Sequence, residues 1–261
     1  MEISRRGKQD HGPWWQRWRV EEWCVCVVMF VIAISADHAS VHIQFVPQGD
    51  GELAYPLQTN TVAMWVNYIV SGVVPACIMA LWSGVIVRDI DDAIASVTGL
   101  ASSLSTVSAV TNVIKFVVGR PRPNYYADVL VNEQDARRSF VSGHTSWAFA
   151  GQVFLSLWLL GKCRLHCQRS RRSPSPLTRT VLSLVPTLVA VWIALTRLTD
   201  YHHHYSDVLA AACIGTVGAC LVYRLNFPSI FDRFAPDKPI SAQPPVNAIG
   251  ANVVVEQVNV P

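Results

Sequence analysis

The chain has 261 residues, of which 51% are hydrophobic and only 15% charged, with a net charge of +3. A soluble domain carries about 25% charged residues, so the composition excludes an ordinary soluble protein and points to the membrane. The length allows one domain of ordinary size, and no nucleic-acid partner is expected.

In chain order, the first signal is "GPWWQRWRVEEW". Trp and Arg together suit the headgroup layer, so residues 1–22 are expected to be a cytosolic, interfacial N-terminal segment and not a cleaved signal peptide. Long apolar stretches follow near 23–36, 62–87, 93–118, 145–161, 181–196 and 207–223. A span needs roughly 20 apolar residues. The first stretch, "WCVCVVMFVIAIS", is short unless "ADHASVHIQF" extends it. The expected fold is all-α: an integral membrane bundle of six transmembrane helices over 23–225. From 226 the composition turns to Pro, Asn, Val and Gln without helical period, which reads as a mostly disordered cytosolic tail over 226–261. No internal repeat and no glycine-rich nucleotide loop is present.

The seven cysteines form no disulfide framework. Cys24, Cys26, Cys77, Cys213 and Cys220 fall inside apolar stretches and behave as small apolar residues. Cys163, His166 and Cys167 lie close together but lack a fourth ligand, and are expected to be free cytosolic thiols and an unliganded imidazole.

Positive charge sets orientation. With the N-terminus in the cytosol, fifteen of the 21 basic residues fall on the cytosolic side, and 37–61 carries no Lys or Arg. Both termini are therefore expected inside. The other six (Lys115, Arg120, Arg122, Arg137, Arg138 and Arg197) fall on the side that normally avoids them. Unusual charge beside a membrane marks function.

Three stretches meet in that layer. "KFVVGRPRP" (115–123) puts Lys115 and Arg122 seven apart, with Gly119, Pro121 and Pro123 ending the helix. Snorkelling at a helix end explains one Lys well, and Lys, Arg, Arg among prolines poorly. "SFVSGHTS" (139–146) opens the fourth helix, where Ser142 can cap or bind an oxyanion and the free N–H groups suit a phosphate. "TRLTDYHHHYSD" (196–207) brings Arg197, then His203 and Asp207 four apart. At helical spacing Asp207 can accept from one ring nitrogen of His203 and leave the other free as nucleophile or base. Three successive imidazoles point about 100° apart and cannot share one metal face. His202 and His204 are expected to be exposed loop or helix-start polar residues.

Together these give three cations, two histidines, a carboxylate and a helix N-terminus. Cations clamp phosphoryl oxygens and stabilise charge in the transition state. One histidine can attack phosphorus and the other can protonate the leaving oxygen. The chemistry this suggests is metal-independent phosphoester hydrolysis through a phosphohistidine, with no cofactor.

The three stretches, in this order and at these helix ends, resemble the lipid phosphate phosphatases of the type 2 phosphatidic acid phosphatase superfamily, relatives of the vanadium haloperoxidases. The motif K-x6-R-P matches Lys115, Arg122 and Pro123. P-S-G-H matches Ser142, Gly143 and His144, with Val141 for the proline. S-R-x5-H-x3-D matches Arg197, His203 and Asp207, with Thr196 for the serine. The resemblance covers roughly residues 20 to 225. It implies that His203 is the nucleophile, Asp207 its orienting partner and His144 the general acid. It implies that Lys115, Arg122, Ser142, Gly143 and Arg197 hold the phosphate. Its expected substrate is phosphatidate, with lysophosphatidate or diacylglycerol pyrophosphate as relatives. The site is expected to face the lumen or the extracellular side of an endomembrane or plasma membrane. A lipid phosphotransferase, or a phosphatase for isoprenoid or sphingoid phosphates, would use the same site. A six-helix anion transporter would need no His–Asp pair and usually shows repeats.

Overall fold

Lipid offers the backbone no hydrogen-bond partner, so apolar runs of span length satisfy themselves as helices. The computed structural model describes residues 13–163, 175–231 and 237–242. Six long helices fill them: α1 Val20–His38, α2 Met64–Val87, α3 Ile90–Val118, α4 Gly143–Lys162, α5 Pro176–Thr199 and α6 Tyr205–Asn226. Among the described residues there is no strand. The expected all-α class is what the chain adopts.

By length and composition, α2, α3, α5 and α6 are apolar enough to cross a membrane. The two other expected spans carry a weaker signal. α1 holds Glu21, Glu22 and Asp37 within its 19 residues. α4 is diluted by Gly, Ser, Thr and Gln.

Local chemistry sets the helix ends. Asp89 caps α3 by accepting from Asp92 N, and Ser175 with Pro176 opens α5, both as N-terminal residues should. Gly119 closes α3 at φ 62° with its N–H on the Lys115 carbonyl. That φ suits glycine, and a Cβ there would lie 1.7 Å from the His42 carbonyl oxygen.

α3 packs against α1, α2, α4 and α6, and α4 packs against α5 and α6 as well. Their core joins Leu100, Leu104 and Val107 of α3 to Phe154 and Trp158 of α4 and to Val222 and Tyr223 of α6. Small residues let backbones approach, as they do between helices in lipid. A Cβ on Gly151 would sit 1.8 Å from the Ser71 carbonyl oxygen. α2 widens into π-helical turns at Ile69–Val73, where Gln152 donates to the Val70 carbonyl at 2.7 Å. The outer faces are apolar and exposed, as at Val27, Val85, Leu188 and Leu221.

The bundle has two polar ends. At one, Arg17 meets Asp91 at 2.9 Å, and Lys162 meets Asp92 at 2.6 Å while donating to the Asp237 carbonyl. The chain at 13–17, the start of α3, the end of α4 and residue 237 thus lie together. Phe227, which follows α6, is 1% exposed and stacks on Tyr223. Residues 166 and 167 of the cysteine cluster lie outside the described residues. At the other end, 39–61 folds over the end of α3: His42 N donates to the Phe116 carbonyl and Gln44 Nε2 to that of Val118.

Candidate active site

The end of α3, the start of α4 and the α5–α6 turn converge beneath 39–61. A cavity of about 280 Å³ lies there, lined by Lys115, Arg122, Arg197, His144, His202 and His203, with Asn60, Asp37, Asp135 and Gly143. Five of the expected side chains therefore share one enclosure, although they span residues 115 to 203.

Each cation is held differently. Lys115 lays its Nζ beside the first residue of α4, where a Cβ on Gly143 would come within 3.2 Å of it. Arg122 donates to Asp135 at 2.7 Å, and Asp128 lies 3.7 Å away. Arg197 is fully buried. It donates to Asp200 at 2.7 Å and to Asn60 at 2.6 Å, and its Nε and Nη2 reach the hydroxyl of Thr196. The threonine in the serine's place thus keeps the contact that a hydroxyl makes here. Asp200 is anchored in turn by Thr61, whose N–H and hydroxyl both donate to it.

The other basic residues of this layer serve structure. Arg138 pairs with Asp37 at 3.0 Å. Arg137 donates to the Tyr125 hydroxyl and to the Gln44 carbonyl. Arg120 donates to Asp207 at 2.6 Å and to Ser206 at 2.7 Å. So Lys115, Arg122 and Arg197 face the cavity, and Arg120, Arg137 and Arg138 tie the loops together.

His203 departs from expectation in its partner. Asp207 Oδ2 lies 3.9 Å from its Nδ1, too far for a hydrogen bond. Nδ1 instead lies 2.8 Å from the backbone carbonyl of Ser139. A carbonyl can only accept, so Nδ1 carries the proton and Nε2 keeps its lone pair. Burial, then the charges of Arg122, Lys115 and His144, hold the His203 pKa well below 6.5, which favours the neutral, nucleophilic ring.

Asp207 is fully buried and acts one step back. It accepts from the Ser139 hydroxyl, from Arg120 and from the backbone N–H of His204 at 3.0 Å. The carboxylate thereby fixes Ser139, whose carbonyl fixes His203. At i, i+4 spacing the two side chains could have met. His203, however, precedes α6, whose first residue is Tyr205, and His204 occupies the cap.

Ser142 takes the capping role, one of the two that its position allows. Its hydroxyl accepts from Thr145 Oγ1 at 3.1 Å and caps α4, fully buried. His144 lines the cavity, and its Nε2 is buried without a partner among the described residues. His202 was expected at the surface and is instead 6% exposed. His204 is the expected helix-start residue. Among the described residues no group of three or more His, Cys, Asp or Glu is placed to hold a metal ion.

Next to the polar cavity is an apolar cleft of about 610 Å³ between α1, α2, α3 and α4. Phe30, Ile34, Gly72, Leu104 and Trp147 line it, and it shares Asp37, Met64, Tyr68, Asn112 and Gly143 with the polar cavity. A cationic pocket and a greasy slot thus share a wall.

Residues 96–231 match the PAP2 superfamily, a span that includes the three motifs and the whole cationic layer. The chain belongs to the PAP2 superfamily. Its similarity to other PAP2 proteins extends over most of its length. It is 31% identical over 245 residues to lipid phosphate phosphatase 2 of Arabidopsis thaliana, covering 86% of this chain and 82% of that one. It is 29% identical over 252 residues to diacylglycerol pyrophosphate phosphatase 1 of Saccharomyces cerevisiae, covering 86% and 84%. A 35% identity over 157 residues links it to the probable diacylglycerol pyrophosphate phosphatase 1 of Schizosaccharomyces pombe, over 52% and 54% of the two chains. No solved structure matches it.

Sequence reasoning found the PAP2 motif residues and missed what supports them. Asn60, Asp37, Asp200, Asp135 and Ser139 have no motif signal of their own. Asn60 lies 137 residues from Arg197, so only the fold brings them together.

Proposed function

We propose that this chain is a lipid phosphate phosphatase. It converts phosphatidate to diacylglycerol and inorganic phosphate without a metal, and accepts lysophosphatidate or diacylglycerol pyrophosphate at the same site. One observation carries the reading: a pocket with three cations and the Nε2 of His203 shares a wall with an apolar cleft. The pocket suits a phosphate monoester and the cleft suits its acyl chains.

In the proposed reaction Lys115, Arg122 and Arg197 take the phosphoryl oxygens, helped by the N-terminal end of α4 at Gly143. Ser142 contributes by holding that end in place. Nε2 of His203 attacks phosphorus and the P–O ester bond breaks. His144 gives a proton to the departing alkoxide. Water then attacks phosphorus, His144 takes its proton, and the N–P bond breaks to free phosphate and His203. The three cations neutralise charge that a divalent ion handles in other phosphoryl-transfer sites.

In the same reading all six long helices span the bilayer. α1 and α4 cross despite their polar residues, because α4 is surrounded by its neighbours and the acidic residues of α1 lie at its ends. The N-terminal stretch and residue 237 share the end opposite the pocket, which supports both termini in the cytosol and a lumenal or extracellular site. The host is an endomembrane or the plasma membrane, and residues 226–261 are the cytosolic tail.

The test is phosphate release from phosphatidate micelles by purified protein in EDTA. The wild type is expected to turn over and His203→Ala to lose activity by about a thousandfold or more. Release that depends on added divalent metal would overturn the metal-independent reading.

A further inference from the structure

An asparagine inside an apolar span costs free energy unless its amide is satisfied. Asn67 of α2 is fully buried and is satisfied at both ends. Its Nδ2 donates to the backbone carbonyl of His144 at 2.9 Å. Its Oδ1 accepts from the Ser71 hydroxyl at 3.0 Å. A carbonyl can only accept, so the NH2 end of the amide is the end that faces His144.

That bond holds the first turn of α4. The ends of a helix lack part of their backbone bonding and fray first. His144 is the second residue of α4, and its ring lines the cavity. Its Nε2 has no hydrogen-bond partner among the described residues, so the ring takes its aim from the backbone that bears it. Ser142 fixes that backbone within α4 by capping the turn. Asn67 fixes it from the neighbouring helix. α2 is a firm support for this, because Gln152 of α4 donates to the Val70 carbonyl at 2.7 Å and Gly151 lets the Ser71 carbonyl approach closely. Glue between helices would account for a buried asparagine anywhere in a span. This one binds the carbonyl of the residue that the proposed reaction uses as its acid.

We propose that Asn67 is a positioning residue for the leaving-group step: through the His144 carbonyl it sets the aim of the imidazole at the ester oxygen. The inference rests on the phosphatase reading above, with His144 as its acid. A misplacement of about 1 Å in such a contact costs about a hundredfold in rate. The cost falls on one kind of substrate. A glyceryl oxygen leaves as a strong base and needs the proton as the P–O bond breaks. A phenolate is a far weaker base and leaves without one. Loss of Asn67 should therefore slow alkyl phosphates and spare aryl phosphates, a difference that a general loosening of the bundle would not produce.

The experiment compares phosphatidate with para-decylphenyl phosphate, an aryl ester that carries its own alkyl chain, using the full chain in detergent. The readout is kcat/KM, which covers the steps up to departure of the alcohol and leaves out the later attack of water. Asn67→Leu keeps the bulk and removes the amide. It is expected to lose about tenfold or more on phosphatidate, against about threefold or less on the aryl ester. His144→Ala should show the same pattern more strongly, with a loss of about a hundredfold or more on phosphatidate. Gln152→Leu cuts a tie between the same two helices away from His144, and should lower the melting temperature without changing the ratio of the two rates. If Asn67→Leu does not fold, Ser71→Ala serves in its place and should shift the ratio in the same direction by about threefold. Equal losses of Asn67→Leu on both esters, no loss on either, an unshifted ratio in Ser71→Ala when it stands in, or the same shift in Gln152→Leu would overturn the role of Asn67. A wild type that cleaves phosphatidate but not the aryl ester would overturn it as well, since the better leaving group should be the easier one. Equal losses of His144→Ala on both esters would remove His144 as the acid, and Asn67 with it, and leave attack by His203 standing. A wild type that cleaves neither ester would bring down the phosphatase reading itself.

Discussion

His203 owes its tautomer to a backbone atom. The Ser139 carbonyl takes the Nδ1 proton, and Asp207 steadies Ser139 from behind. Losing the carboxylate should therefore hurt less than losing the ring. Asp207→Asn is expected to lower kcat about ten- to a hundredfold, the usual effect of a supporting partner, against the much larger loss of His203→Ala. Equal losses would return Asp207 to direct contact with the reacting group. The pH profile gives a second check. A protonated ring cannot attack, and burial with nearby cations holds the His203 pKa well below 6.5. Corrected for the substrate's own ionisation, kcat/KM should therefore stay level as pH falls through 6.5 and drop only further down. An acid limb centred at 6.5 would show an imidazole unaffected by its neighbours.

At the scale of elements, helix ends decide the geometry. Gly119 turns the chain out of α3 between Lys115 and Arg122, with positive φ and the His42 carbonyl against it. Gly119→Ala is expected to lower the melting temperature and impair activity, since αL strain alone costs about 1–2 kcal/mol and the clash adds to it. Unchanged stability and activity would show that the loop at His42 moves freely. In the cleft, the atoms nearest the missing Cβ of Gly72 belong to Trp147 and Leu104. Gly72→Phe should fill the slot, raising KM for long-chain phosphatidate by about tenfold and sparing a soluble phosphate ester. Most of these elements were legible in the sequence, because Gly119, Pro121 and Ser142 are strong local stop and start signals. α4 was the exception in strength: it packs inside the bundle, so its Ser, Gly and Gln serve close contact and weaken its apolar signal. The support of Arg197 by Asn60 was illegible, since it depends on where 39–61 folds, and that stretch has no periodicity to read. The Asp207–His203 contact was misread because spacing alone presumes one continuous helix through both residues.

At the scale of the whole molecule, basic residues on the expected outer side are accounted for by pairing. Arg120 and Arg138 bind carboxylates of α6 and α1, Arg137 binds the Gln44 carbonyl and the Tyr125 hydroxyl, and Lys115, Arg122 and Arg197 ring the pocket. The proposed orientation therefore rests on the remaining basic residues, and under it the pocket and the two termini should lie on opposite faces of the membrane. Leu130 is 86% exposed, two residues after Asp128, which lies 3.7 Å from Arg122. In sealed, right-side-out vesicles of a variant lacking its native cysteines, Leu130→Cys should react with an impermeant maleimide while a cysteine at residue 9 should not. The reverse pattern would invert the proposed topology. The central claim is that phosphate passes through His203, and the most direct measurement is to trap it. Wild type quenched during turnover of phosphatidate in EDTA should carry an acid-labile, base-stable phosphoryl group, located by mass spectrometry on the peptide containing His203 and absent from His203→Ala. Turnover with no phosphoryl group on that peptide, or with one elsewhere in the chain, would contradict the account.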